Sequence, residues 1–336
     1  SGQADVVQIA RELLVDPDFV NKVRTGREDD AHRCLRCETC FSTAFSNRYH
    51  RCAINPKLGT YTDSKFEIPP ARKQTVLVVG GGVAGMQAAL TACERGHEVI
   101  LCEKSDRLGG VLNCERSVPF KDKLTAYLDR QARKVGRANI DVRLHTEVTP
   151  AYAEELRPGA LVIAAGAVPV IPPVPGIDRP NVKGAAAIYA DPELAGKKVV
   201  IIGGGLVGLE LAIHLGDMGR DVAVIEMLDE ISDSGNTIHA IAVHSQLERL
   251  HIPVALSTKA VEINETGLVS EGREGRKLYP ADTVIYASGQ RPLWETVQAL
   301  KFCAPEIHII GDCRAPRVIA EATREAYYAA RDIGAF

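Results

Sequence analysis

The sequence predicts an α/β protein with two nested domains, each built on a parallel sheet, and a cysteine-rich segment ahead of them. Two observations support this fold class. The glycine pattern G-x-G-x-x-G occurs at residues 80–85 and again at 203–208, each time between an apolar strand and a helical segment. Four of the nine cysteines lie between Cys34 and Cys52, much closer together than the other five.

Length and charge narrow the class of protein. The 336 residues suffice for two domains of about 150 residues each plus an additional segment. Lysine and arginine total 40 against 43 aspartate and glutamate, so a net charge of −3 offers no basic surplus for nucleic acid or an anionic membrane. The longest uncharged run contains four glycines, which argues against a membrane span. We expect a cytoplasmic protein and, because the chain starts Ser-Gly-Gln without a signal peptide, a fragment.

The cysteine spacing indicates a metal centre rather than disulfides. The pattern C-x2-C-x2-C-x11-C, without a secretory signal, is typical of metal ligands. Gaps of two residues let three thiolates converge from one loop, and the fourth closes the site from farther along the chain. This series suits the corners of a [4Fe–4S] cluster better than zinc, which usually takes two separated pairs and is the alternative. The predicted ligands are Cys34, Cys37, Cys40 and Cys52.

The first repeat begins with the apolar strand Thr75–Val79, followed by the turn at 80–85 and a helix over 84–95. A second strand is expected at Glu98–Cys102, with Glu103 at its end. In a dinucleotide-binding turn the first glycine allows the tight turn, the second admits a pyrophosphate, and the third lets helix pack on strand. The helix N-terminus offers N–H groups to the phosphates, and the acidic residue accepts hydrogen bonds from ribose hydroxyls.

The second repeat follows the same design at a constant offset. A strand over 197–202 precedes its turn, a helix extends to Met218, and the strand Asp221–Ile225 ends at Glu226. Several matched positions lie 123 residues apart, which indicates two homologous nucleotide-binding domains. The matched pairs are Gly80 and Gly203, Glu103 and Glu226, Gly166 and Gly289, and Pro169 and Pro292.

Two dinucleotide sites in one chain suggest a flavin and a nicotinamide, brought together for hydride transfer. Three features assign FAD to the first repeat: the glycines after Leu108, the Ala-Ala-Gly sequence ending at Gly166, and the Ile-Ile-Gly-Asp sequence ending at Asp312. The last resembles the segment that binds the ribityl chain in FAD-binding reductases, and it follows the second repeat, so the FAD domain is predicted to be split. The predicted FAD residues are Gly80, Gly82, Ala84, Gly85, Glu103, Lys104, Gly109, Gly110, Val148, Ala165, Gly166, Gly311 and Asp312, and the predicted NAD residues are Gly203, Gly205, Val207, Gly208, Glu226 and Gly289.

The second repeat is expected to prefer NADH over NADPH. Glu226 can accept a hydrogen bond from a free 2′-hydroxyl but repels a 2′-phosphate. Met227 and Leu228 follow it, so no arginine stands where one would bind that phosphate. Arg220 precedes the strand and is poorly placed for this contact.

The combination of motifs resembles the multidomain flavin and iron–sulfur reductases related to 2,4-dienoyl-CoA reductase, 2-enoate reductase and trimethylamine dehydrogenase. In that family an FMN-binding TIM barrel precedes a [4Fe–4S] segment and paired nucleotide domains. Residues 5–11 resemble the last barrel strand, with Arg11 at the position near the FMN phosphate and Ala10 in place of the usual glycine. Residues 34–40 and 52–56 resemble the cluster motif, although Leu-Arg follows the first cysteine where Ile-Gly is usual.

The resemblance implies an electron path from NADH to FAD, to the cluster and to FMN in the barrel, where an activated C=C bond is reduced. A TIM barrel needs about 250 residues, and only 72 precede Lys73. The barrel, with its substrate site and catalytic residues, is therefore expected to be missing, and no catalytic residue is predicted here. The implied parts are the end of the barrel at 1–30, the cluster segment and linker at 31–72, the split FAD domain at 73–190 and 290–336, and the NAD(H) domain at 191–289.

The sequence is thus expected to be the electron-input half of an NADH-dependent flavin oxidoreductase, and other functions are alternatives to it. An ADP-binding accessory domain of an amine dehydrogenase-like flavoprotein stays open, as does an electron-transfer subunit for another partner. A glutamate-synthase-like subunit would typically carry more cysteine groups upstream. A disulfide reductase is rejected because Cys114, which follows the glycines at 109–110, has no second cysteine four or five residues away, and residues 199–291 contain no cysteine. The expected partners are the FMN barrel, NADH and a second copy of this chain.

Overall fold

The computed structural model describes residues 3–45, 49–60, 72–231 and 235–335, and the chain forms two compact units. The first unit comprises Ser1–Leu112, Asp122–Ala167 and Pro292–Phe336, and the second comprises Asn113–Lys121 and Val168–Arg291. Residues 168–190, grouped with the FAD domain in the sequence analysis, thus pack with the second unit. The assignment of a cofactor to each domain stays a prediction.

The elements alternate between strand and helix through both units. The helices are α1 (Arg11–Val15), α2 (Phe19–Arg24), α3 (Thr39–Phe45), α4 (Val83–Glu94), α5 (Asp122–Arg137), α6 (Pro150–Leu156), α7 (Ala185–Ala190), α8 (Leu206–Asp217), α9 (Thr237–Arg249), α10 (Trp294–Leu300) and α11 (Ile319–Asp332). The strands are β1 (Thr75–Val79), β2 (Glu98–Cys102), β3 (Ile140–Arg143), β4 (Ala160–Ile163), β5 (Ala167–Pro169), β6 (Val182–Gly184), β7 (Lys198–Ile202), β8 (Asp221–Ile225), β9 (Val254–Ala255), β10 (Lys259–Asn264), β11 (Gly267–Gly272), β12 (Gly275–Pro280), β13 (Thr283–Tyr286), β14 (Gln290–Pro292) and β15 (Glu306–Ile309). In the described ranges, no helix combines the length and the apolar character needed to cross a membrane.

The first unit is a five-stranded parallel sheet in the order β15-β4-β1-β2-β3. Its two central strands are almost wholly buried because helices cover both faces. Val76 and Val78 of β1 point to α4, α5 and α11, whereas Leu77 and Val79 point to α6 and α10. The strands β1 and β2 begin and end where the sequence predicts, which confirms the α/β class.

The second unit repeats this parallel sheet in the order β6-β13-β7-β8-β9. The helices α7, α8 and α9 cover one face. The other face packs against a three-stranded antiparallel sheet, β10-β11-β12, through Ala260, Ile263 and Leu268. Strands β5 and β14 pair with each other. The shared order β4-β1-β2-β3 and β13-β7-β8-β9 agrees with the repeat inferred from the constant offset.

The cysteine segment packs onto the first unit. Val15, Ala53 and Ile54 are buried in the same core as α4 and α11. The strand expected at residues 5–11 is not formed: residues 6–10 are irregular, and Arg11 opens α1. A parallel barrel strand needs neighbouring strands for its backbone hydrogen bonds, and no strand of the described residues pairs with residues 5–11.

Candidate functional site

The glycine-rich turn of the first unit lies at the carboxyl end of β1 and opens α4, with Gly82 as the N-cap. Gly80 has a φ of +102°, and a side chain on it would meet the carbonyl oxygen of Ala164 at 2.4 Å. A side chain on Gly85 would meet the carbonyl oxygen of Gly80 at 1.8 Å. Only glycine fits these two positions, so the backbone at the helix N-terminus stays open to a phosphate group.

Residues predicted to bind FAD from distant segments lie at this turn. Gly109 donates its N–H to the carbonyl oxygen of Gly81 at 2.9 Å. Gly311 lies so close to Ala84 that a side chain on it would come within 3.0 Å of the alanine Cβ. A side chain added at Gly110 would come within 2.9 Å of Gly82, and Ala165 lies beside Gly80. The other predicted residues are the buried Val148, the exposed Lys104, and Gly166 with a φ of +80°.

Glu103 is buried at the end of β2. Its Oε2 accepts the N–H of Gly81 at 2.7 Å, and its Oε1 accepts the N–H and the hydroxyl of Ser105, both at 2.8 Å. These bonds hold the carboxylate beside the turn, where the sequence predicts contact with ribose hydroxyls.

Asp312 lies in the short 3-10 turn Gly311–Cys313, just before α11. Its carboxylate accepts the backbone N–H of Arg317 at 3.2 Å. Burial raises the pKa of Asp312, and this hydrogen bond opposes the rise. A carboxylate can accept about four hydrogen bonds, so Asp312 can still accept hydroxyl donors, as the ribityl assignment requires.

The second unit reproduces the dinucleotide geometry. Its turn opens α8 with Gly205 as the N-cap, and a side chain on Gly208 would meet the carbonyl oxygen of Gly203 at 2.1 Å. Glu226 is buried and accepts the N–H groups of Gly204 at 2.5 Å and of Leu228 at 2.8 Å. In both repeats the acidic residue is therefore bonded to the middle residue of the Gly-Gly-Gly sequence, which is Gly81 or Gly204. The two other predicted NAD residues are Val207, whose carbonyl oxygen accepts the Tyr189 hydroxyl at 3.0 Å, and Gly289, with a φ of +95°.

Ser288 is a polar residue at the second turn that the sequence analysis did not predict. Its hydroxyl oxygen is buried without a hydrogen-bond partner among the described residues. Its backbone nitrogen would lie 3.4 Å from a side chain on Gly203. Ala165 occupies the matched position in the first unit, so the constant offset of the repeat could have revealed this serine.

A buried ion cluster lies in the second unit. The Nζ of Lys121 is 2.6 Å from Glu210 and 2.9 Å from Glu115, and His239 lies 3.1 Å from the other oxygen of Glu210. Burial lowers the pKa of Lys121, but the attraction of the two carboxylates outweighs it and the pKa is raised. No motif indicated this cluster, because its members come from three separated segments.

The four cysteines line one cavity of about 350 Å³, counting the part that opens to solvent. Arg36 and Glu38, which lie between the cysteines, have φ values of +58° and +57°. Non-glycine residues rarely adopt this conformation, and here it curls the loop around the cavity. No three metal-binding side chains in the described ranges are placed to hold a single ion.

Burial favours the protonated form of three of the thiols in this cavity. Burial raises the pKa of Cys52 to about 11 and also raises the pKa of Cys34 and Cys40. Binding a metal centre must therefore displace protons. The backbone N–H of Arg36 points at the sulfur of Cys34 at 3.4 Å, a contact of the kind that stabilises a metal-bound thiolate.

Arg11, the residue expected near an FMN phosphate, contacts the cysteine loop. Its guanidinium lies 2.6 Å from Glu38 Oε1, and both side chains are partly exposed. The predicted contact of Arg11 with FMN stays a prediction.

Comparison with known proteins gives one family model, two relatives and one solved structure that match this chain. Residues 74–329 match the family model described as pyridine nucleotide-disulphide oxidoreductase. The chain is 35% identical over 333 residues to a bilirubin reductase of Mediterraneibacter gnavus, covering 98% of this chain and 52% of that protein. It is 34% identical over 346 residues to an NADH oxidase of Thermoanaerobacter brockii, covering 99% and 52%. A solved structure of 2-naphthoyl-CoA reductase with 2-naphthoyl-CoA matches with a TM-score of 0.91 and 29% identity, covering 98% of this chain and 50% of that one. The chain thus spans about half the length of the relatives it matches.

Proposed function

The chain belongs to the pyridine nucleotide-disulphide oxidoreductase family, and we propose that it is the electron-input half of a larger NADH-dependent flavin and iron–sulfur reductase. Family membership implies FAD and a nicotinamide dinucleotide. Disulfide chemistry, which gives the family its name, requires a redox-active cysteine pair. No disulfide joins any of the nine cysteines, all of which lie in the described ranges, and Cys114, just after the glycines at 109–110, has no second cysteine four or five residues away. The family relationship therefore rests on the paired domains.

One observation carries the proposal: the cysteine cavity and the first dinucleotide site share one hydrophobic core. Three of the four cysteines pack against the core that contains Val83 and Ala84, where α4 begins. The residue after Cys52 is Ala53, whose carbonyl oxygen accepts the buried hydroxyl of Thr323 at 2.8 Å. Two redox centres held on one packed core keep a fixed separation, which suits electron transfer between them.

Each cofactor has its own set of residues. FAD would be held by the turn at 80–85, Glu103 and Asp312, and it supplies the change from two-electron to one-electron transfer. The nicotinamide dinucleotide would be held by the turn at 203–208 and Glu226. The four cysteines would hold a [4Fe–4S] cluster, which their spacing and their shared cavity support.

The fixed position of Glu226 supports NADH as the donor. Both of its carboxylate oxygens accept backbone N–H groups, so the side chain has little freedom to move away from a ligand. A 2′-phosphate carries roughly two negative charges, which this buried carboxylate would repel, whereas a 2′-hydroxyl can donate a hydrogen bond to it.

The remaining half of the protein is proposed to be an FMN-binding barrel that reduces an activated C=C bond, as in an enoate or enoyl-CoA. Val6 and Val7 support a partner at this end because they are 86% and 73% exposed. We also expect a cytoplasmic homo-oligomer. The alternative, an ADP-binding accessory domain of an amine dehydrogenase-like flavoprotein, predicts that the chain binds ADP and no FAD.

An anaerobic UV–visible spectrum of the purified chain, with flavin, iron and sulfide analysis, tests these assignments. We expect one FAD and about four iron and four sulfide per chain. One zinc without sulfide would contradict the cluster. Bound ADP without FAD would contradict the reductase and favour the accessory domain.

A further inference from the structure

A carboxylate on α11 bonds to the backbone of the turn that carries Asp312. We propose that Glu325 is a positioning residue for FAD in the first unit, acting through a hydrogen bond to the Gly311–Cys313 turn. The inference rests on the proposed function, because it concerns the FAD site assigned above.

The contact joins the helix to the backbone of the turn. Oε2 of Glu325 accepts the N–H of Gly311 at 3.1 Å. Gly311 has a φ of +64° and lies against Ala84 in the first turn of α4. The bond therefore fixes the turn against the helix N-terminus where the phosphates of FAD are expected, and it sets the direction of the next residue, Asp312.

The other oxygen of Glu325 pairs with two arginines from the same loop. Arg314 lies 3.1 Å from Oε1, and Arg317 also bonds it. The arginine side chains are 60% and 43% exposed, whereas that of Glu325 is 14% exposed. Ion pairs to exposed arginines contribute little to the stability of the loop because water screens the charges. The partly buried bond to Gly311 is thus the contact whose loss matters, because it leaves a backbone N–H without its acceptor.

The same helix supplies a matched control. Glu321 lies one turn earlier on α11 and pairs with Arg51 at 3.3 Å and Arg317 at 3.8 Å. It carries the same charge and shares one arginine with Glu325, but within the described part of the chain its ion pairs are with these arginines and not with the Gly311 turn. A change at Glu321 therefore alters charge on α11 without altering the proposed hydrogen bond.

Two conservative variants of Glu325 separate the effect of side-chain length from the effect of charge. In Glu325→Gln the amide oxygen still reaches Gly311 although the charge is lost, and in Glu325→Asp the charge is kept although the side chain is one carbon shorter. The FAD-stripped chain would be titrated with FAD anaerobically by flavin fluorescence, with NADH affinity and iron content as folding controls. We expect FAD affinity to fall about tenfold in Glu325→Asp. It should stay within about threefold of wild type in Glu325→Gln and within about twofold in Glu321→Gln.

Several outcomes overturn the inference. Glu325→Asp binding FAD as tightly as wild type would show that the bond does not position the site. Glu325→Gln falling as far as Glu325→Asp would assign the effect to charge, and an equal loss in Glu321→Gln would assign it to α11 as a whole. A wild-type chain that binds no FAD is a different result, because it contradicts the proposed function itself.

Discussion

The two units hold the same turn in different settings. Glu103 and Glu226 each accept the N–H of the middle glycine, at 2.7 Å and 2.5 Å. Beyond that turn the units diverge: β3 leads to β4 through the helix α6, whereas β9 leads to β13 through the three-stranded sheet β10-β11-β12. The shared geometry is that of a dinucleotide-binding turn, and the differences bear on the proposal that each unit takes a different dinucleotide.

Side chains at matched positions carry those differences. The lysine after Glu103 corresponds to a methionine after Glu226. Ala165 corresponds to Ser288, whose buried hydroxyl has no partner among the described residues, and Gln87 corresponds to Glu210 of the ion cluster. Compared with the first unit, the second thus gains a hydroxyl, has a carboxylate in place of an amide and lacks the lysine.

The largest expected effect comes from blocking one turn at a time. Gly85→Ala should abolish FAD binding and Gly208→Ala should abolish NADH binding, because the added carbon would lie 1.8 Å and 2.1 Å from a backbone oxygen. Flavin content and an NADH titration of each variant measure the two sites separately. If Gly208→Ala removed FAD and left NADH binding intact, the assignment of the units would be reversed.

Removing the cation of the buried cluster should destabilise the second unit. Lys121→Met leaves Glu115 and Glu210 as two buried carboxylates without their shared cation. We expect unfolding free energy to fall by about 3–5 kcal/mol. Urea denaturation followed by circular dichroism measures this, with Lys123→Met, at a more exposed lysine nearby in sequence, as the control. Equal midpoints for the two variants would show that the cluster does not stabilise the unit.

Reversing the charge at Glu226 should change the choice of nicotinamide. Glu226→Arg replaces a repelling carboxylate with a cation that can bind a 2′-phosphate, so the ratio of NADPH to NADH affinity should rise at least about tenfold. Arg220→Ala is the control because Arg220 pairs with Glu193 at 3.1 Å and should leave the preference unchanged. A wild-type chain that already prefers NADPH would contradict the role of Glu226.

The smallest effect is expected at the position that distinguishes the two turns. Ser288→Ala removes a hydroxyl without a protein partner among the described residues, so the free energy of unfolding should not fall. NADH affinity should fall about three- to tenfold if that hydroxyl bonds the dinucleotide. Isothermal titration and thermal unfolding measure the two quantities. Unchanged NADH affinity would show that Ser288 does not contact the ligand.

Features of the fold and the site that depend on neighbouring residues in the sequence could be predicted. The turn glycines and the two acidic residues follow from spacing within one strand–turn–helix segment, and Glu103 and Glu226 both lie where the repeat predicts. Glu325 could not be predicted because its contact with Gly311 depends on how α11 packs after the turn. The strand expected at residues 5–11 does not form, because a parallel strand depends on neighbouring strands and none of the described residues supplies them there.

The central claim is that this chain takes electrons from NADH but holds no site for the final substrate. The direct test is anaerobic NADH oxidation by the purified chain, first with ferricyanide and then with an enoate or enoyl-CoA ester. We predict rapid reduction of ferricyanide, because both proposed dinucleotide sites belong to the chain. We predict no reduction of the enoate, because that step needs a flavin hydride and a positioned proton donor, which we propose lie in the other half. Turnover of the enoate without an added FMN protein would contradict the claim, and so would a flavin-loaded chain that NADH cannot reduce.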